Sequence, residues 1–426
     1  MILFGFIQLF FIIAVTYYEY KNKSPIVFMW ATLLIMFGVM HVISYMLPDY
    51  QYASVLNKAS AFVILFCIFY LFVRAFSKKV IQPKEIIESN IALTEERILA
   101  IGKVILIVSV LIYAYFVIRT SGSLFSITKE NIYRTMAGGS KLFLLSTYMY
   151  YASASLFLYC LLKKRKKDAI IIAILILMRS FLSSSRMDMV ILFVGIISFI
   201  ILNSKKQHFK NIIVLSIIGV VALFAIYALR AFRYYYNFTD ITNMNLSEFI
   251  QIMINSVKND DGELGLRNVF YYFLQKDNNF EGFGTGNGYK RVLMFMIPGS
   301  LAGELKPEDM CLVMGRAWKP DFSGIINFSV TPTLFGDCYA NFGFWGCLMG
   351  GVWALIGTLM DGIINRRNEI VKIMLWGLIA TEFIIIGRGS VYNPICHIGY
   401  CGIIIAFLYF AQRFRFRFSF SKKRFS

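Results

Sequence analysis

Long apolar stretches recur along this chain, and they constrain its fold more than any other feature of the sequence. The hydrocarbon core of a bilayer requires about 20 apolar residues of helix, and lipid offers no hydrogen-bond partners to an irregular backbone. Hydrophobic residues make up 58% of the 426 positions, and the mean hydropathy is +0.65. We therefore predict an all-α polytopic membrane protein with about 11 transmembrane helices. The predicted spans are 2–20, 25–47, 53–73, 98–119, 142–162, 169–184, 187–203, 211–230, 335–359, 370–387 and 395–411.

Two of these spans, 169–184 and 187–203, are short and are separated only by SSSRMD. Together they are far too long for a single crossing. A helical hairpin with a tight turn explains the two spans better than one bent helix does.

The basic residues indicate how the chain is oriented in the membrane. The formal net charge of +19 would by itself also suit a nucleic-acid-binding protein. The basic residues, however, gather in alternate connections between spans, as the positive-inside rule predicts for cytoplasmic loops. We therefore predict no nucleic-acid partner, an N-terminus outside and a C-terminus in the cytoplasm. The basic clusters lie at 21–23, 74–80, 163–167, 205–210, 365–367 and 413–426.

The predicted spans divide the chain into four regions. Residues 1–230 hold transmembrane helices 1–8, residues 231–334 form a large external loop, residues 335–411 hold helices 9–11, and residues 412–426 form a basic cytoplasmic tail. A loop of about a hundred residues is uncommon unless it has a function. We therefore expect the working surface of the protein in this loop.

Within the external loop, the spacing of apolar residues predicts two helices, over 246–257 and 263–275. The apolar stretch 290–297 is too short to cross a bilayer, and we expect it to rest on the membrane surface. Cys311 and Cys338 both fall near the predicted outer face, and a disulfide between them is one alternative.

Several catalytic motifs are missing from the sequence. Without G-x-x-x-x-G-K-[ST], the chain cannot be the ATPase of a pump. Without H-E-x-x-H, C-x-x-C or G-x-S-x-G, we do not expect a protease or lipase of a familiar kind. The only tight acid pair in the loop that resembles a divalent-metal site, D-G-E at 261–263, is explained equally well by a turn at Gly262. We predict neither a metal nor a cofactor.

Arginines occur at the predicted outer ends of several spans, although topology favours them at the inner ends. An arginine at a helix centre in a membrane costs about 2.5 to 3.5 kcal/mol, so each requires a reason. A single arginine could snorkel to the head groups or pair with an acid such as Asp188. For the set, we predict binding of a lipid-attached polyanion, because guanidinium matches phosphate oxygens bidentately. The set is Arg119, Arg179, Arg186, Arg230, Arg233 and Arg388.

Asp337 differs from the other acids near the external loop. The stretch FGDCYANFG places it in the first turns of a predicted span, where desolvation suits a carboxyl group to proton uptake. His397, in NPICHIG, occupies the matching position on the last span, and a hydrogen-bonded structural histidine is the alternative reading. The nearby tyrosines can stack on sugar rings, or they can anchor the chain at the interface. They are Tyr234, Tyr235, Tyr236, Tyr271, Tyr272 and Tyr289.

Four stretches, in this order, resemble the Wzy-type O-antigen polymerases, which join oligosaccharide repeat units in bacterial envelopes. In that family the signals are a Ser-Arg pair opening a span, an Ile-Pro element followed by Lys-Pro, an acid-x-Tyr-x-Asn-Phe-Gly span entrance, and an arginine near the last hairpin. The stretches here are SSSRMDMVILFVG (183–195), GNGYKRVLMFMIPGSLAGELKPED (286–309), TPTLFGDCYANFGFWG (331–346) and GRGSVYN (387–393). The family often carries glutamate where Asp337 stands.

This resemblance implies a C-type membrane glycosyltransferase architecture with one long external loop, in the bacterial cytoplasmic membrane. It also implies a reaction: transfer of a growing glycan from undecaprenyl pyrophosphate onto the next lipid-linked repeat unit, to build an O-antigen or capsule. The expected partners are undecaprenyl-pyrophosphate-linked oligosaccharides, membrane lipids and a chain-length regulator.

For this reaction we assign roles as hypotheses. Asp337 is the first candidate for the base that accepts a proton from the acceptor hydroxyl, and His397 is the second. Pyrophosphate would be held by Arg186, Arg230, Arg233 and Arg388. Tyr289, Tyr339 and Asn341 would orient the sugars. Arg291 and Lys306 would shape the loop or contact the donor.

Three other functions remain open at this point. A ligase of the same superfamily would transfer the finished glycan to a lipid A core, but we would expect a histidine in its large loop, and 231–334 contains none. A flippase or other transporter would carry charges along a central path, whereas here they gather at one face, with Lys58 and Glu382 as exceptions. A non-catalytic scaffold would leave the span arginines without a purpose.

Overall fold

The computed structural model describes residues 2–47, 50–80, 92–121, 141–183, 186–203, 265–297, 299–322 and 328–411, with isolated positions between 214 and 251. Within these ranges all regular structure is helical. Within these ranges eight helical stretches are, by length and composition, long and apolar enough to cross a membrane, which confirms a polytopic helical membrane protein. They are Ile2–Lys21, Val27–Met46, Ala53–Ser77, Glu95–Thr120, Lys141–Leu162, Thr333–Asn365, Glu369–Gly387 and Tyr392–Phe410. The predicted span 211–230 and the predicted helix 246–257 lie outside the described residues, apart from single positions.

The first part of the chain forms five α-helices and one π-helical segment. Helix α2 continues through the π segment Leu34–Val39 into α3, and a 3₁₀ turn, Ala53–Val55, precedes α4. Apolar composition and the need to satisfy every backbone group in lipid explain these helices. Their bounds are α1 Ile2–Lys21, α2 Val27–Leu33, α3 Met40–Met46, α4 Leu56–Val80 and α5 Ala92–Ser121.

The next four helices are α6 Lys141–Ala154, α7 Leu156–Leu162, α8 Lys166–Ser183 and α9 Arg186–Asn203. Helices α8 and α9 are separate and pack against each other. The predicted hairpin over 169–203 is therefore confirmed.

The segment between residues 265 and 322, which we call the external segment because it lies in the predicted external loop, forms only short helices in its described part. The predicted helix 263–275 is confirmed as α10, Leu266–Gln275, which is almost entirely buried. In the stretch 290–297, whose contact with the membrane surface stays a prediction, α11 ends at Leu293 and the chain continues in turns. The remaining helices are α11 Asn287–Leu293, α12 Gly299–Ala302 and α13 Met310–Trp318, with 3₁₀ turns at Gly303–Leu305 and Pro320–Phe322.

The apolar run predicted as one span over 335–359 is divided in the structure. It consists of α14 Thr333–Phe342, a 3₁₀ segment Gly343–Leu348 and α15 Met349–Asn365. Helices α16 Glu369–Gly387 and α17 Tyr392–Ala411 complete the chain and are joined by residues 388–391. We refer to the region around residues 388–391 as the hairpin end.

The helices pack around α4, which contacts α1 on one side and α15 on the other. Gly350 of α15 lies directly against the backbone carbonyl of Phe66, where a β-carbon would collide. Small residues at such contacts let two membrane helices approach closely. Trp30, Phe66 and Trp353 are among the fully buried side chains of this core.

A buried cluster of charges joins three of these helices. The Arg74 guanidinium donates from Nε and Nη2 to the two carboxylate oxygens of Glu19, at 2.8 and 2.9 Å. It also donates to Thr358 at 2.8 Å and to the Asp361 carboxylate. Because Arg74 and Glu19 are both fully buried, α1, α4 and α15 are held together by groups that cannot exchange their partners for water.

Cysteine pairing does not contribute to this fold. All seven cysteines lie in the described residues, and each is a buried free thiol. The disulfide considered for Cys311 and Cys338 is therefore absent.

Candidate functional site

Helix α14 runs against the direction of α15, so the two form a helical hairpin inside the bundle. Phe335 packs edge to face on Phe66 of α4, with 5.2 Å between ring centroids, and Tyr339 packs on Phe62 at 5.8 Å. Helix α14 therefore proceeds toward the N-terminal end of α4. Gly350 then returns to Phe66, so α15 runs back along α4. Such discontinuous helices are used in transporters to bring backbone and polar groups into the membrane interior.

Glycines make this reversal possible. Gly343, directly after α14, has a φ of 58°, in the left-handed region that favours glycine. Gly346 lies against the backbone carbonyl of Cys338, where a β-carbon would collide. The hairpin is consequently tight, and the residues of α14 are fixed relative to α15.

The reversal places Asp337 inside the protein. It lies at the level of residues 62–66 of α4, about 12 Å along that helix from Leu56. Asp337 is only 3% exposed, and its Oδ2 has no hydrogen-bond partner within the described parts of the chain. Buried carboxylate oxygens are rarely left unpaired, so this atom is available to a substrate proton.

Tyr289 of α11 is the external residue most closely engaged with α14. Its hydroxyl lies 3.3 Å from Cys338 Sγ, accepts a hydrogen bond from Trp353 Nε1 at 3.3 Å and interacts with the Asp337 carboxyl group. Burial, followed by the nearby Cys338 and Asp337, raises the pKa of Tyr289 well above its usual range. The hydroxyl therefore stays protonated and can donate a hydrogen bond beside Asp337.

Asn341 fastens the external segment to α14. Its Nδ2 donates to the Asp337 carbonyl at 2.9 Å, and its Oδ1 accepts from the Gly288 backbone N–H at 2.9 Å. The Asn341 carbonyl accepts from Gly286 at 2.9 Å. Because its side chain is 1% exposed and engaged at both ends, Asn341 positions the start of α11, and therefore Tyr289.

Tyr339 projects away from Asp337, toward α4 and α10. Its ring packs on Phe62 and on Phe270, at 5.8 and 5.7 Å between centroids. Its hydroxyl interacts with Lys58, whose amine pairs with Asp277 at 2.5 Å. Tyr339 therefore belongs to the packing of the external segment on the helices rather than to the surroundings of Asp337.

Arg291 and Lys306 both contact the aromatic ring of Tyr392, the first residue of α17. The Arg291 guanidinium carbon is 4.4 Å from the ring centroid, and the Lys306 amine is 5.5 Å from it. Arg291 donates to the Pro307 carbonyl at 2.6 Å, and Lys306 donates to the Ile297 carbonyl at 2.8 Å. Two cations thus contact the same ring at the hairpin end, with further donor hydrogens available to an anion.

Asp309 connects this cation pair with Asp337. It is close enough to interact electrostatically with Asp337 and also with Tyr392. Its own Oδ1 caps α13 by accepting from the Cys311 N–H at 3.0 Å. Asp309 and Tyr392 were not predicted as site residues, although both lie in stretches that carry the family resemblance.

Arg388 contacts the start of α14 through its backbone carbonyl. Its carbonyl accepts from the Thr333 N–H at 2.9 Å, at the start of α14. Gly389, with a φ of 101°, follows at a point where a β-carbon would collide with Thr333. The end of α16 and the start of α14 are therefore in direct contact, and the half-buried Arg388 lies beside the half-helix that carries Asp337.

His397 belongs to a different polar cluster. Its Nδ1 lies 3.2 Å from Oε1 of Glu382, which is fully buried on α16. Its ring packs between Tyr148 and Tyr151, at 5.5 and 5.3 Å between centroids. The other carboxylate that interacts with His397 is Asp188. His397 and Asp337 are therefore separate groups, each with its own acidic neighbour.

Asp188 accounts for the burial of Arg179, one of the six span arginines. Arg179 is 2% exposed, its Nε lies 3.9 Å from Asp188 Oδ2, and its guanidinium carbon is 3.4 Å from the centroid of Tyr113. Asp188 also accepts from Ser183 at 2.5 Å and from Tyr151 at 3.2 Å. For Arg179, the alternative of an ion pair with Asp188 is confirmed.

The structure therefore brings some of the predicted site residues together and separates others. Asp337 and Tyr289 interact, and Asn341 fixes the position of one relative to the other. Asp309 interacts with Asp337 and with Tyr392, the ring that Arg291 and Lys306 contact. Tyr339 and His397 lie elsewhere. Arg230 and Arg233 are outside the described residues, and of Arg186 only the backbone, at the start of α9, is described.

Comparison with known proteins returned no matching family model, no matching curated protein and no matching solved structure. The fold and composition establish the class, a polytopic helical membrane protein. Any function within that class has to be inferred from the chemistry around Asp337.

Proposed function

We propose that this protein polymerises lipid-linked oligosaccharide repeat units. The donor would be a glycan on undecaprenyl pyrophosphate, the acceptor the next lipid-linked unit, and the product an O-antigen or capsule chain. The proposal includes a C-type glycosyltransferase architecture in the bacterial cytoplasmic membrane, with the N-terminus outside and the C-terminus in the cytoplasm. Its support is the family resemblance together with the surroundings of Asp337.

One observation carries the proposal: Asp337 is buried on a reversed half-helix, keeps an oxygen without a partner among the described residues, and interacts with Asp309, which lies close to the Tyr392 ring that Arg291 and Lys306 contact. Lipid-linked substrates carry their phosphates at the membrane surface and their sugars just outside it. A site that accepts both must combine cations for phosphate with a base for a sugar hydroxyl.

The chemistry required is modest, because pyrophosphate is already a good leaving group. As the bond between the donor sugar and pyrophosphate breaks, cations stabilise the oxygens that gain negative charge. We assign this role to Arg291, Lys306 and Arg388, and the earlier hypothesis for Arg186, Arg230 and Arg233 is retained. Asp337 accepts the proton of the acceptor hydroxyl as the new glycosidic bond forms. Tyr289 donates a hydrogen bond that positions the Asp337 carboxylate.

The reaction can be tested with purified protein in proteoliposomes that contain a synthetic lipid-linked repeat unit. We expect ladders of longer lipid-linked glycan, with one undecaprenyl pyrophosphate released for each bond formed. Adding a lipid A core acceptor separates the ligase alternative, which would transfer glycan to that core and produce no ladder. Unchanged repeat units with either acceptor would refute both functions.

A second candidate is a proton-coupled transporter of the same lipid-linked substrate. The observation that favours it is the intramembrane pair of Glu382 and His397, with Asp188 within interaction range, because such groups form proton relays in transporters. A transporter would move the labelled repeat unit across the bilayer without lengthening it. Measuring translocation and chain length in the same vesicles distinguishes the two functions.

A further inference from the structure

The segment between Arg291 and Lys306 is apolar except for Ser300 and the exposed Glu304, and its leucines face away from the protein. Leu293, Leu301 and Leu305 are 85, 79 and 80% exposed, and Met296 is 55% exposed. In a water-exposed external loop, such a patch would be a liability, and contiguous exposed apolar residues usually mark a contact surface. We call residues 293–297 and 299–305 the wedge.

The wedge lies beside a membrane-spanning helix, well below its start. The ring of Phe295 fills the space over Gly399 of α17, where a β-carbon would come within 2.5 Å of it. The Tyr400 hydroxyl donates to the Phe295 carbonyl at 3.3 Å. Tyr400 lies eight residues after Tyr392, so the wedge reaches about 12 Å along α17 from its N-terminus.

The face of α17 that receives Phe295 continues as an apolar surface. Gly399, Ile403 and Phe407 follow one another at a spacing of four residues, which places them on one side of the helix. Ile403 and Phe407 are 52 and 63% exposed. Since α17 is a membrane span, lipid covers this face, and the wedge is continuous with it.

The backbone of the wedge meets the requirement of a non-aqueous environment. Two of its carbonyls at irregular positions accept hydrogen bonds from side chains, Phe295 from Tyr400 and Ile297 from Lys306, and just beyond the wedge Pro307 accepts from Arg291. Irregular backbone tolerates hydrocarbon only when its polar groups are satisfied internally. A water-exposed turn would have no need of these three donors.

We propose that the wedge is inserted into the hydrocarbon of the membrane leaflet at the hairpin end. Its occupant is the acyl region of the bilayer, not a protein partner, because the surface lies at the depth of the lipid-facing side of α17. Arg291 and Lys306 close the two ends of the wedge, where both contact the ring of Tyr392. The proposal does not depend on the catalytic function and holds equally for a transporter.

The test measures the depth of a fluorophore in proteoliposomes. A nitrobenzoxadiazole (NBD) label is attached to Leu301→Cys and, separately, to Leu293→Cys; Glu281→Cys, an exposed position elsewhere in the external segment, is the aqueous control. The seven native cysteines are buried, and the unmodified protein treated with the same reagent reports any background. Quenching is measured with lipids carrying nitroxides on the acyl chain and with aqueous iodide.

We expect acyl-chain nitroxides to quench the labels at 293 and 301 several-fold more strongly than the label at 281, with iodide showing the reverse order. The proposal is overturned if iodide quenches all three labels equally and the nitroxide lipids have no effect at 293 and 301. Leu293 and Leu301 are exposed, so labelling removes little packing. If the Leu301 variant is not monodisperse, Leu305→Cys gives the same comparison.

Discussion

At the scale of single residues, the account depends on how Asp337 is surrounded. The carboxylate is buried, one oxygen has no hydrogen-bond partner in the described ranges, and Tyr289 interacts with it. Asn341 fixes the backbone on both sides of this contact. The chemistry of the site therefore depends on two helices that are far apart in sequence, α11 and α14.

Removing the Tyr289 hydroxyl should impair the reaction without unfolding the protein. Tyr289→Phe keeps the ring, which packs on Phe342 at 5.2 Å, and deletes the group beside Asp337. A hydrogen bond to a charged group is worth about 1.5 to 3 kcal/mol, so we expect kcat to fall about 10- to 100-fold. Polymer yield per unit of monodisperse protein measures this; Tyr272→Phe, on α10, is the control and should retain activity.

The cation pair should act on substrate binding. Arg291→Gln removes the charge over Tyr392 and the donor to Pro307, so we expect KM for the lipid-linked donor to rise about tenfold or more. Arg316→Gln breaks only an exposed pair with Glu308 and should leave KM unchanged. Equal KM values for the two variants would remove Arg291 from the phosphate site.

At the scale of elements, the reversal of α14 is the feature that creates the site. A continuous helix over 333–365 would carry Asp337 away from Tyr289, because the external segment docks on the C-terminal end of α14. Two backbone hydrogen bonds anchor it there, from Gly284 to Ala340 and from Gly286 to Asn341, at 2.8 and 2.9 Å. The hairpin and the external loop therefore form one structural unit.

Crowding the hairpin should destabilise this unit. In Gly346→Ala the new β-carbon meets the Cys338 carbonyl, and relieving such overpacking typically costs about 1 to 3 kcal/mol. We expect a lower thermal unfolding midpoint in detergent and a parallel loss of activity. Gly402→Ala, on α17 with open space around it, is the matched control and should unfold like the natural protein. An unchanged midpoint for Gly346→Ala would contradict the tight hairpin.

At the scale of the whole molecule, two buried charge clusters hold the bundle together. One joins α1, α4 and α15 through Arg74, and the other joins α8, α9, α16 and α17 through Asp188, Glu382 and His397. Removing one partner of a buried pair leaves the other charge uncompensated, which is more costly than losing an exposed pair. Stability should therefore be concentrated in these clusters.

Glu19→Gln tests the first of them. It leaves Arg74 buried with one of its two carboxylates neutralised, and we expect a loss of about 3 to 5 kcal/mol in unfolding free energy. Glu369→Gln breaks a pair with Lys163 in which both side chains are partly exposed and should change stability little. Comparable unfolding midpoints for the two variants would contradict a structural role for the cluster.

Sequence reasoning predicted those parts of the fold that depend on local composition. The spans follow from hydropathy, the α8–α9 hairpin from the length of two short runs, and α10 from apolar residues at helical spacing. The direction of α14 could not be predicted in this way, because periodicity does not indicate which way a helix runs along its neighbours. The glycine after YANF is the local signal that could have suggested a break.

The candidate site was predicted in part for the same reason. Burial in an apolar stretch selected Asp337, and the structure confirms that burial. The partners of Arg179 and His397 are set by contacts between distant helices, and Asp309 and Tyr392 owe their positions to the docking of the external segment. The proposed gathering of Arg186, Arg230 and Arg233 stays a prediction, since their side chains lie outside the described residues.

The most direct test of the account is the rate of polymer formation by Asp337→Asn in proteoliposomes, compared with Glu281→Gln, a loss of an exposed acid in the same segment. Asparagine keeps the size of the side chain but cannot accept the proton. We predict a loss of at least about 100-fold in rate for Asp337→Asn, with normal substrate binding, and no loss for Glu281→Gln. Full-length polymer from Asp337→Asn at the natural rate would contradict the assignment of Asp337 as the base.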